Sequence, residues 1–275
     1  MLSTFTLTCT LAFAGGPAID SICTQVAPAN DKWTRSPNQK QAVVLIHGYY
    51  VHVFDKSVAK PQLRSWQSAN GPLVKEIGKN ADVYVFAYGQ NAALDAIVKD
   101  SKLSANVAEL RKLGYSDIVL VGHSAGGLIA RHFVEDFPDA GVTKVLQVCS
   151  PNGGSPLASL SAAKSQKPFL DCLSTDHRKK CMEQRAGKKI PDGVQFICLI
   201  AKEKNKDTDG VVPCASQWTA DLHKQGIPAV CVVGGHRDVL RDAKLAVTVA
   251  ELVNGNHERW PAERIEKVKK EIFGK

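Results

Sequence analysis

Short apolar runs recur along the chain and alternate with segments of helical periodicity. Six runs are almost continuously apolar, which is typical of strands that are buried on both faces. They lie at 42–46, 83–88, 118–121, 145–148, 194–200 and 229–233. Helices are predicted between or after them, at 62–78, 103–113, 128–137, 239–253 and 262–273. This alternation predicts an α/β fold, with a mostly parallel open sheet and helices on both of its faces.

The alternation is interrupted between Ser155 and Asp192. This segment is rich in polar residues, contains three prolines and shows no convincing strand pattern. It is too long for an ordinary connection between two elements. We therefore predict a cap insertion at about 155–192, placed after the strand at about 145–148 and over a functional site.

Length and composition favour one large domain. The chain has 275 residues, of which 44% are hydrophobic and 23% are charged, and this excludes a disordered, collagen-like or coiled-coil protein. No apolar stretch after the N-terminus is long enough for a polytopic membrane protein. We expect the main domain at 41–275, preceded by an N-terminal segment at 1–40.

The first residues share some features with a signal peptide. Residues 1–14 are uncharged and moderately apolar, and they end in Ala-Phe-Ala, the small-x-small pattern of a cleavage site. A basic start is missing, since the first lysine is Lys32. The pattern favours cleavage of 1–14 and a secreted or extracytoplasmic protein. The alternative is a frayed N-terminus of a cytoplasmic protein.

Eight cysteines leave the redox compartment open. None forms a C-x-x-C pair, and no cysteine and histidine set has the spacing of a zinc site. Cys149, Cys198 and Cys231 lie in apolar runs, where a cysteine is commonly a small buried hydrophobe. Cys172 and Cys181 flank a polar, basic stretch and either form a disulfide or remain free thiols.

The strongest chemical signal is a strand, a G-x-S-x-G turn and an amphipathic helix in direct succession. The sequence at 118–128 is IVLVGHSAGGL, with Ser124 at the centre of the turn. Glycines suit this turn because a Cβ at the flanking positions would collide with neighbouring backbone. Ser124 is therefore predicted to be a nucleophile, and the alternative is a serine that caps the helix.

A serine nucleophile requires a base and a carboxylate that orients the base. The sequence DTDGVVP at 207–213 follows one predicted strand, and GGH at 234–236 follows the next. Because the carboxyl ends of parallel strands meet at one edge of a sheet, we expect Asp209 and His236 to lie near Ser124.

Other residues compete for these two roles. Asp207 and Asp238 lie close to the predicted acid and base in sequence, but Gly210 lets the chain turn and aim the Asp209 carboxylate inward. His223 and His257 lie in polar contexts at helix ends, which suits a surface role.

The first predicted strand ends in a turn that suits an oxyanion hole. The sequence at 45–50 is LIHGYY, and a His-Gly turn there places backbone N–H groups beside the nucleophile. The expected donors are the amides of Tyr49 and Ala125. The alternative is a simple turn in which His47 makes local hydrogen bonds.

These sequences together resemble the α/β-hydrolase superfamily, and within it the lipase and esterase branch. The resemblance rests on G-H-S-x-G-G at 122–127, H-G-x at 47–49 and D-G-V-V-P at 209–213, and it covers about 41–253. The segment SPNGGSP at 150–156 is similar to a pocket-lining S/T-P-H-x-G-S segment of many lipases, with Asn152 where a histidine is frequent.

The resemblance implies an α/β-hydrolase fold and hydrolysis of a carboxylic ester through an acyl-enzyme. In that scheme Ser124 attacks, His236 acts as base and then acid, Asp209 orients His236, and no metal or organic cofactor is required. The same groups also cleave thioesters and some amides. A non-catalytic binding protein with this fold is the alternative from a different class.

The substrate is expected to be a small-molecule or lipid ester. Tyr50 and Leu157 are predicted to contact it, although each is equally compatible with a place in the core. The apolar group of the cap is small, which favours a lipase-like esterase over an interfacial lipase. The apolar residues in question are Tyr49, Tyr50, Val51, Phe54 and Leu157 near the site, and Phe169, Leu170 and Leu173 in the cap.

The net charge of +8 is concentrated in the cap. Residues 164–192 contain eight Lys and Arg and four Asp and Glu, which is a net charge of +4. No basic stripe or familiar module for nucleic acid is present, so a nucleic-acid partner is not expected. We predict that the basic cap favours anionic substrates or contacts an anionic lipid surface; the alternative is a solvated loop.

Overall fold

The computed structural model describes residues 18–52, 54–159 and 163–274. The predicted signal peptide at 1–14 lies outside the described residues. Cleavage of that segment and localisation outside the cytoplasm therefore stay predictions.

All strands of the described residues belong to one sheet. They are β1 (Ser21–Ala27), β2 (Ala29–Asn30), β3 (Gln41–Ile46), β4 (Asp82–Tyr88), β5 (Asp117–His123), β6 (Lys144–Val148), β7 (Gln195–Lys202) and β8 (Ala229–Val233). The sheet order is β2-β1-β4-β3-β5-β6-β7-β8. Strands β3 to β8 run parallel, and β1 runs antiparallel to both β2 and β4.

The mostly parallel sheet and the six predicted strands are confirmed. Strand β3 shows why its run is continuously apolar: Val43 and Leu45 point into one core, whereas Val44 and Ile46 point into the other. Strands β1 and β2 were not predicted from the sequence. The segment SICTQVA of β1 shows no clean alternation, since the apolar Ile22 is exposed and the polar Gln25 is buried.

Helices cover both faces of the sheet. They are α1 (Asp55–Val58), α2 (Pro72–Ile77), α3 (Leu94–Asp100), α4 (Leu103–Lys112), α5 (Ala125–Asp136), α6 (Lys167–Asp171), α7 (Thr175–Gln184), α8 (Cys214–Gln217), α9 (Ala220–Lys224), α10 (Ala243–Asn254) and α11 (Ala262–Phe273). Side chains of α2 and α10 pack in one core, and side chains of α3, α4, α5 and α11 pack in the other. No helix among the described residues combines the length and the apolar character needed to cross a membrane.

Two predicted helices are shorter in the structure. The helix expected at 62–78 is a 3-10 turn at Ser65–Gln67 followed by α2, which begins at Pro72. Proline has no N–H to donate within a helix, so it suits the first turn and breaks a longer one. The helix expected at 239–253 begins later, because the Asp242 side chain caps α10 by accepting two backbone N–H groups.

The predicted cap is helical. Its described residues form 3-10 turns at Pro156–Ser159 and Lys164–Gln166, followed by α6 and α7, and they contain no strand. Cys172 and Cys181 are both buried free thiols, so the structure has no disulfide across this segment. Arg185, at the end of α7, ion-pairs with Glu135 and Asp136 of α5 and fixes the cap to the main domain.

Candidate active site

Ser124 occupies the sharp turn between β5 and α5. Its backbone has φ 55° and ψ −126°, a conformation that is strained for a residue with a Cβ. The turn is tight, since a Cβ on Gly126 would lie 2.3 Å from the carbonyl oxygen of Ile46. This is the strand-turn-helix context that a serine nucleophile requires.

The turn after β3 packs directly against this serine. A Cβ on Gly48 would lie 2.5 Å from the Cβ of Ser124, closer than two carbon atoms can approach without a shift of the backbone. Only glycine at this position therefore allows the amide of Tyr49 to come near the serine.

Asp209 and His236 form a hydrogen-bonded pair. The Nδ1 atom of His236 lies 2.6 Å from Oδ2 of Asp209, and the backbone N–H of His236 donates to the Asp209 carbonyl. The other carboxylate oxygen accepts the N–H groups of Val211 and Val212 at 2.9 and 2.6 Å. Both members of the pair are buried. The structure thus brings together the predicted acid and base from the loops after β7 and β8.

The competing residues lie elsewhere. Asp207 is exposed, and the Asp238 carboxylate accepts a hydrogen bond from the backbone of Gly235. The ring of His223 packs edge-on against the ring of Trp218. None of them contacts His236 through a side-chain hydrogen bond within the described residues.

His123 links Ser124 to the acid–base pair. Its ring centroid lies 4.7 Å from that of His236, and its Nε2 atom lies 2.8 Å from the His236 carbonyl oxygen. The hydroxyl of Ser124 makes no hydrogen bond to another described residue. Serine and histidine of such a site commonly draw together only when substrate is bound.

Two backbone N–H groups beside Ser124 are free to bind an anion. Neither the Tyr49 nor the Ala125 amide donates to another described residue. The Gly48 carbonyl accepts His47 Nδ1 at 2.8 Å and Gln90 Nε2 at 2.9 Å. Because a trans peptide is planar, fixing this carbonyl also fixes the opposite direction of the Tyr49 N–H.

A buried glutamine pair supports the same turn from the cap. Gln166 Nε2 donates to Gln90 Oε1 at 2.8 Å and to the Tyr50 carbonyl at 2.6 Å. Both glutamines are fully buried. Sequence reasoning missed them, although Gln90 follows the end of β4 just as the acid and base follow the ends of later strands.

Gln217 supports the loop that carries the acid. Its side chain donates to the carbonyls of Ala201 and Val212 and accepts the Ala201 N–H. Asn152, which the family resemblance placed in the pocket lining, is fully buried, and its amide bonds Gln147 and the Gln217 carbonyl. Its role is thus to join this loop to β6.

Burial sets the charge of the histidines in the site. Burial lowers the pKa of His47 to about 4, helped by the nearby Arg64, so this ring is neutral at pH 7 and donates from Nδ1 to Gly48. Burial, and then the charge of His236, holds the pKa of His123 well below its usual range. His123 is therefore neutral as well.

The described residues contain one group of metal-ligating type at the site. Donor atoms of His123, Cys149 and His236 lie within 4.8 Å of one another. Both histidines already use a ring nitrogen in a hydrogen bond, and burial raises the pKa of the Cys149 thiol well above its ordinary value. The group is poorly suited to a metal, because metal binding by cysteine requires the thiolate.

The predicted substrate residues differ in exposure. Tyr50 is half-buried and packs against His47, with ring centroids 5.4 Å apart. Leu157 is 41% exposed, and Val51 and Phe54 are 61% and 73% exposed. These three aliphatic and aromatic side chains therefore lie on the surface rather than in the core.

Two cavities lie near these elements. A recess of about 260 Å³ adjoins Gly48, Tyr49 and His123. A larger cavity of about 520 Å³ lies beside the second half of α5, among ion-paired residues such as Arg131 and Glu135. We assign the smaller recess to the site because only it includes the turn that contacts Ser124.

Comparison with known proteins places the fold. No family model and no curated protein matches the sequence. The mature lipase BlEst2 of Bacillus licheniformis aligns with a TM-score of 0.64 and 14% identity, over 86% of this chain and 99% of that one. The phospholipase PlaB of Legionella pneumophila aligns with a TM-score of 0.58 and 14% identity, over 86% of this chain and 63% of that one. The monoacylglycerol lipase of Paleococcus ferrophilus aligns with a TM-score of 0.52 and 12% identity, over 86% of this chain and 98% of that one.

The mostly parallel sheet, its helices and these structural neighbours show that the chain has the α/β-hydrolase fold of lipases and esterases.

Proposed function

We propose that this protein is a serine hydrolase that cleaves carboxylic esters through an acyl-enzyme intermediate. One observation carries the proposal: Asp209 and His236 form a buried hydrogen-bonded pair next to a strained serine turn. The lipase and esterase neighbours support the choice of an ester substrate.

In this proposal each group has a role that its hydrogen bonds support. Asp209 accepts from Nδ1 of His236 and so leaves Nε2 as the basic nitrogen that takes the proton of Ser124. The serine oxygen attacks the ester carbonyl, and the amides of Tyr49 and Ala125 stabilise the oxyanion. His236 then gives the proton to the leaving alcohol, and a water molecule hydrolyses the acyl-enzyme by the reverse sequence.

We further propose a lipase-like esterase that acts on small-molecule or lipid esters. The exposed side chain of Val51 lines the recess beside the site and offers an apolar contact that suits an acyl chain. Rates for short-chain and long-chain nitrophenyl esters, below and above the micellar concentration, test this choice. A sharp rise above that concentration would instead indicate an interfacial lipase.

The basic cap is proposed to contact an anionic lipid surface. Lys167, Arg185 and Lys188 already pair with carboxylates, so they are not available for this contact. The exposed cations without an ion pair among the described residues are Lys164, Lys179, Lys180 and Lys189. Equal binding to neutral and anionic vesicles at low salt would contradict this role.

Hydrolysis of p-nitrophenyl butyrate by the Ser124→Ala variant tests the main proposal. We expect normal folding by circular dichroism and a rate several orders of magnitude below that of the wild type. The matched control is the same substitution in the cap, Ser159→Ala, which should keep the wild-type rate. Wild-type activity in Ser124→Ala would overturn the proposal.

A further inference from the structure

The recess beside the oxyanion turn is lined by three arginines and by no carboxylate. They are Arg64, which precedes α2, and Arg237 and Arg241, which follow His236 in the chain. None of the three forms an ion pair with another described residue. Arg64 is half-buried and Arg237 and Arg241 are exposed, so all three charges can reach a ligand in the recess.

The acidic residues closest in sequence to Arg237 and Arg241 accept hydrogen bonds from backbone N–H groups. The Asp238 carboxylate accepts the Gly235 N–H, and the Asp242 carboxylate caps α10. No carboxylate lines the recess, and none forms an ion pair with its arginines among the described residues.

The position of Arg64 is fixed by its neighbours. Its guanidinium lies 4.0 Å from the centroid of the Tyr50 ring, a cation–π contact that holds the charged plane at the recess. The charges reach both sides of the site, since Arg64 helps to lower the pKa of His47 and Arg237 helps to lower that of His123.

The recess adjoins the turn that packs against Ser124. Gly48 and Tyr49 line it, and Gly48 lies so close to Ser124 that it cannot carry a side chain. A substrate whose ester carbonyl contacts Ser124 can thus place a second group in the recess.

We propose that this recess binds an anionic group, carboxylate or phosphate, carried by the ester substrate. Guanidinium groups bind both anions through paired N–H donors, which gives them selectivity over a neutral group of equal size. The inference rests on the proposed ester hydrolysis and names a substrate class for it: esters with a negative charge near the scissile bond.

Two matched nitrophenyl esters test this inference. p-Nitrophenyl hexanoate and the mono-p-nitrophenyl ester of adipic acid have six-carbon acyl chains, and only the second ends in a carboxylate. We expect wild-type kcat/KM to be higher for the adipate ester, and the preference to shrink as ionic strength rises because salt screens the arginines. Hydrolysis rates of short-chain phosphatidic acid and the corresponding diacylglycerol test whether a phosphate on the alcohol side of the ester is favoured instead.

Arginine variants test whether these side chains cause the preference for the adipate ester. We expect Arg64→Gln and the double variant R237Q/R241Q each to lower the adipate-to-hexanoate ratio by about threefold to fivefold, the effect of an exposed charge pair. In each variant the hexanoate rate should fall less than the adipate rate. The control K267Q/K270Q removes two exposed cations from α11 and should leave the ratio unchanged.

The outcomes separate this inference from the proposed function. A wild type that hydrolyses neither the nitrophenyl esters nor the lipids contradicts both proposals. Hydrolysis with no preference for an anionic ester of either type, or with a preference that the arginine variants keep, overturns only the anionic recess. Equal losses on both esters would show that the arginines act on the reaction in general, and this also overturns it.

Discussion

The imidazole of His236 is held by Asp209 at two points. Oδ2 of the aspartate lies 2.6 Å from Nδ1 of the histidine, and the aspartate carbonyl accepts the histidine backbone N–H. The second oxygen of the carboxylate is held by the N–H groups of Val211 and Val212. The carboxylate therefore has little freedom, and it fixes both the tautomer and the direction of the base.

Asp209→Asn tests the function of this pair. An amide keeps the shape but can donate to Nδ1 and favour the wrong tautomer, so we expect kcat for p-nitrophenyl butyrate to fall by about 10³ to 10⁴. Asp207→Asn, two residues away and exposed, is the matched control and should keep the wild-type rate. Comparable losses in both variants would contradict the assignment of Asp209.

Gly48→Ala tests the close approach of the β3 turn to the serine. The added Cβ would meet Ser124 Cβ at 2.5 Å, so the turn must move and carry the Tyr49 amide with it. We expect a loss of about 1 to 3 kcal/mol in the free energy of unfolding and at least a hundredfold loss of kcat. Gly187→Ala meets no atom within 4 Å and should change stability by less than about 0.5 kcal/mol.

Gln90→Leu tests how the turn is oriented. The change removes one of the two donors to the Gly48 carbonyl, so the Tyr49 N–H is less well aimed at the oxyanion. We expect kcat to fall about tenfold or more, while KM changes little, because the interaction is made mainly in the transition state. Gln184→Leu, on the exposed side of α7, should affect neither constant. A rise in KM alone would point to substrate binding instead.

Acid should destabilise the fold through His47. Its pKa is about 4 in the folded state and about 6.5 when unfolded, so the unfolded chain binds the proton more readily. The stabilisation is complete above pH 6.5 and is lost as the pH falls to 4, with a total of about 3 kcal/mol. Urea unfolding between pH 7 and 4 measures this slope. We expect His47→Gln to make the slope shallower without abolishing it, because the buried His123 contributes in the same direction, and His177→Gln, which is exposed, to leave it unchanged.

The sequence was sufficient for the parts of the site that follow local rules. Ser124, Asp209 and His236 each follow a strand of recognisable pattern, and the structure places Asp209 in contact with His236, as predicted. The supporting glutamines follow no such rule. Gln166 meets Gln90 only after the cap has folded over the sheet, and no local pattern encodes a contact across 76 residues.

Features of the fold that were not predicted also depend on distant contacts. Strand β1 lacks a clean period because it exposes the apolar Ile22 and buries the polar Gln25, whose amide bonds the Thr34 backbone. Arg131 and Glu135 are buried on α5, although charged residues on a helix usually face water. Their burial depends on pairing with each other and, for Glu135, with Arg185 from the cap.

Covalent labelling of Ser124 tests the central claim most directly. A fluorophosphonate reacts with a serine only when a neighbouring base activates it. We predict that the wild-type protein gains one label on the peptide that contains Ser124, that His236→Gln labels far more slowly, and that Ser124→Ala does not label. Folded wild-type protein that takes up no label, or that is labelled equally well in Ser124→Ala, would contradict the account.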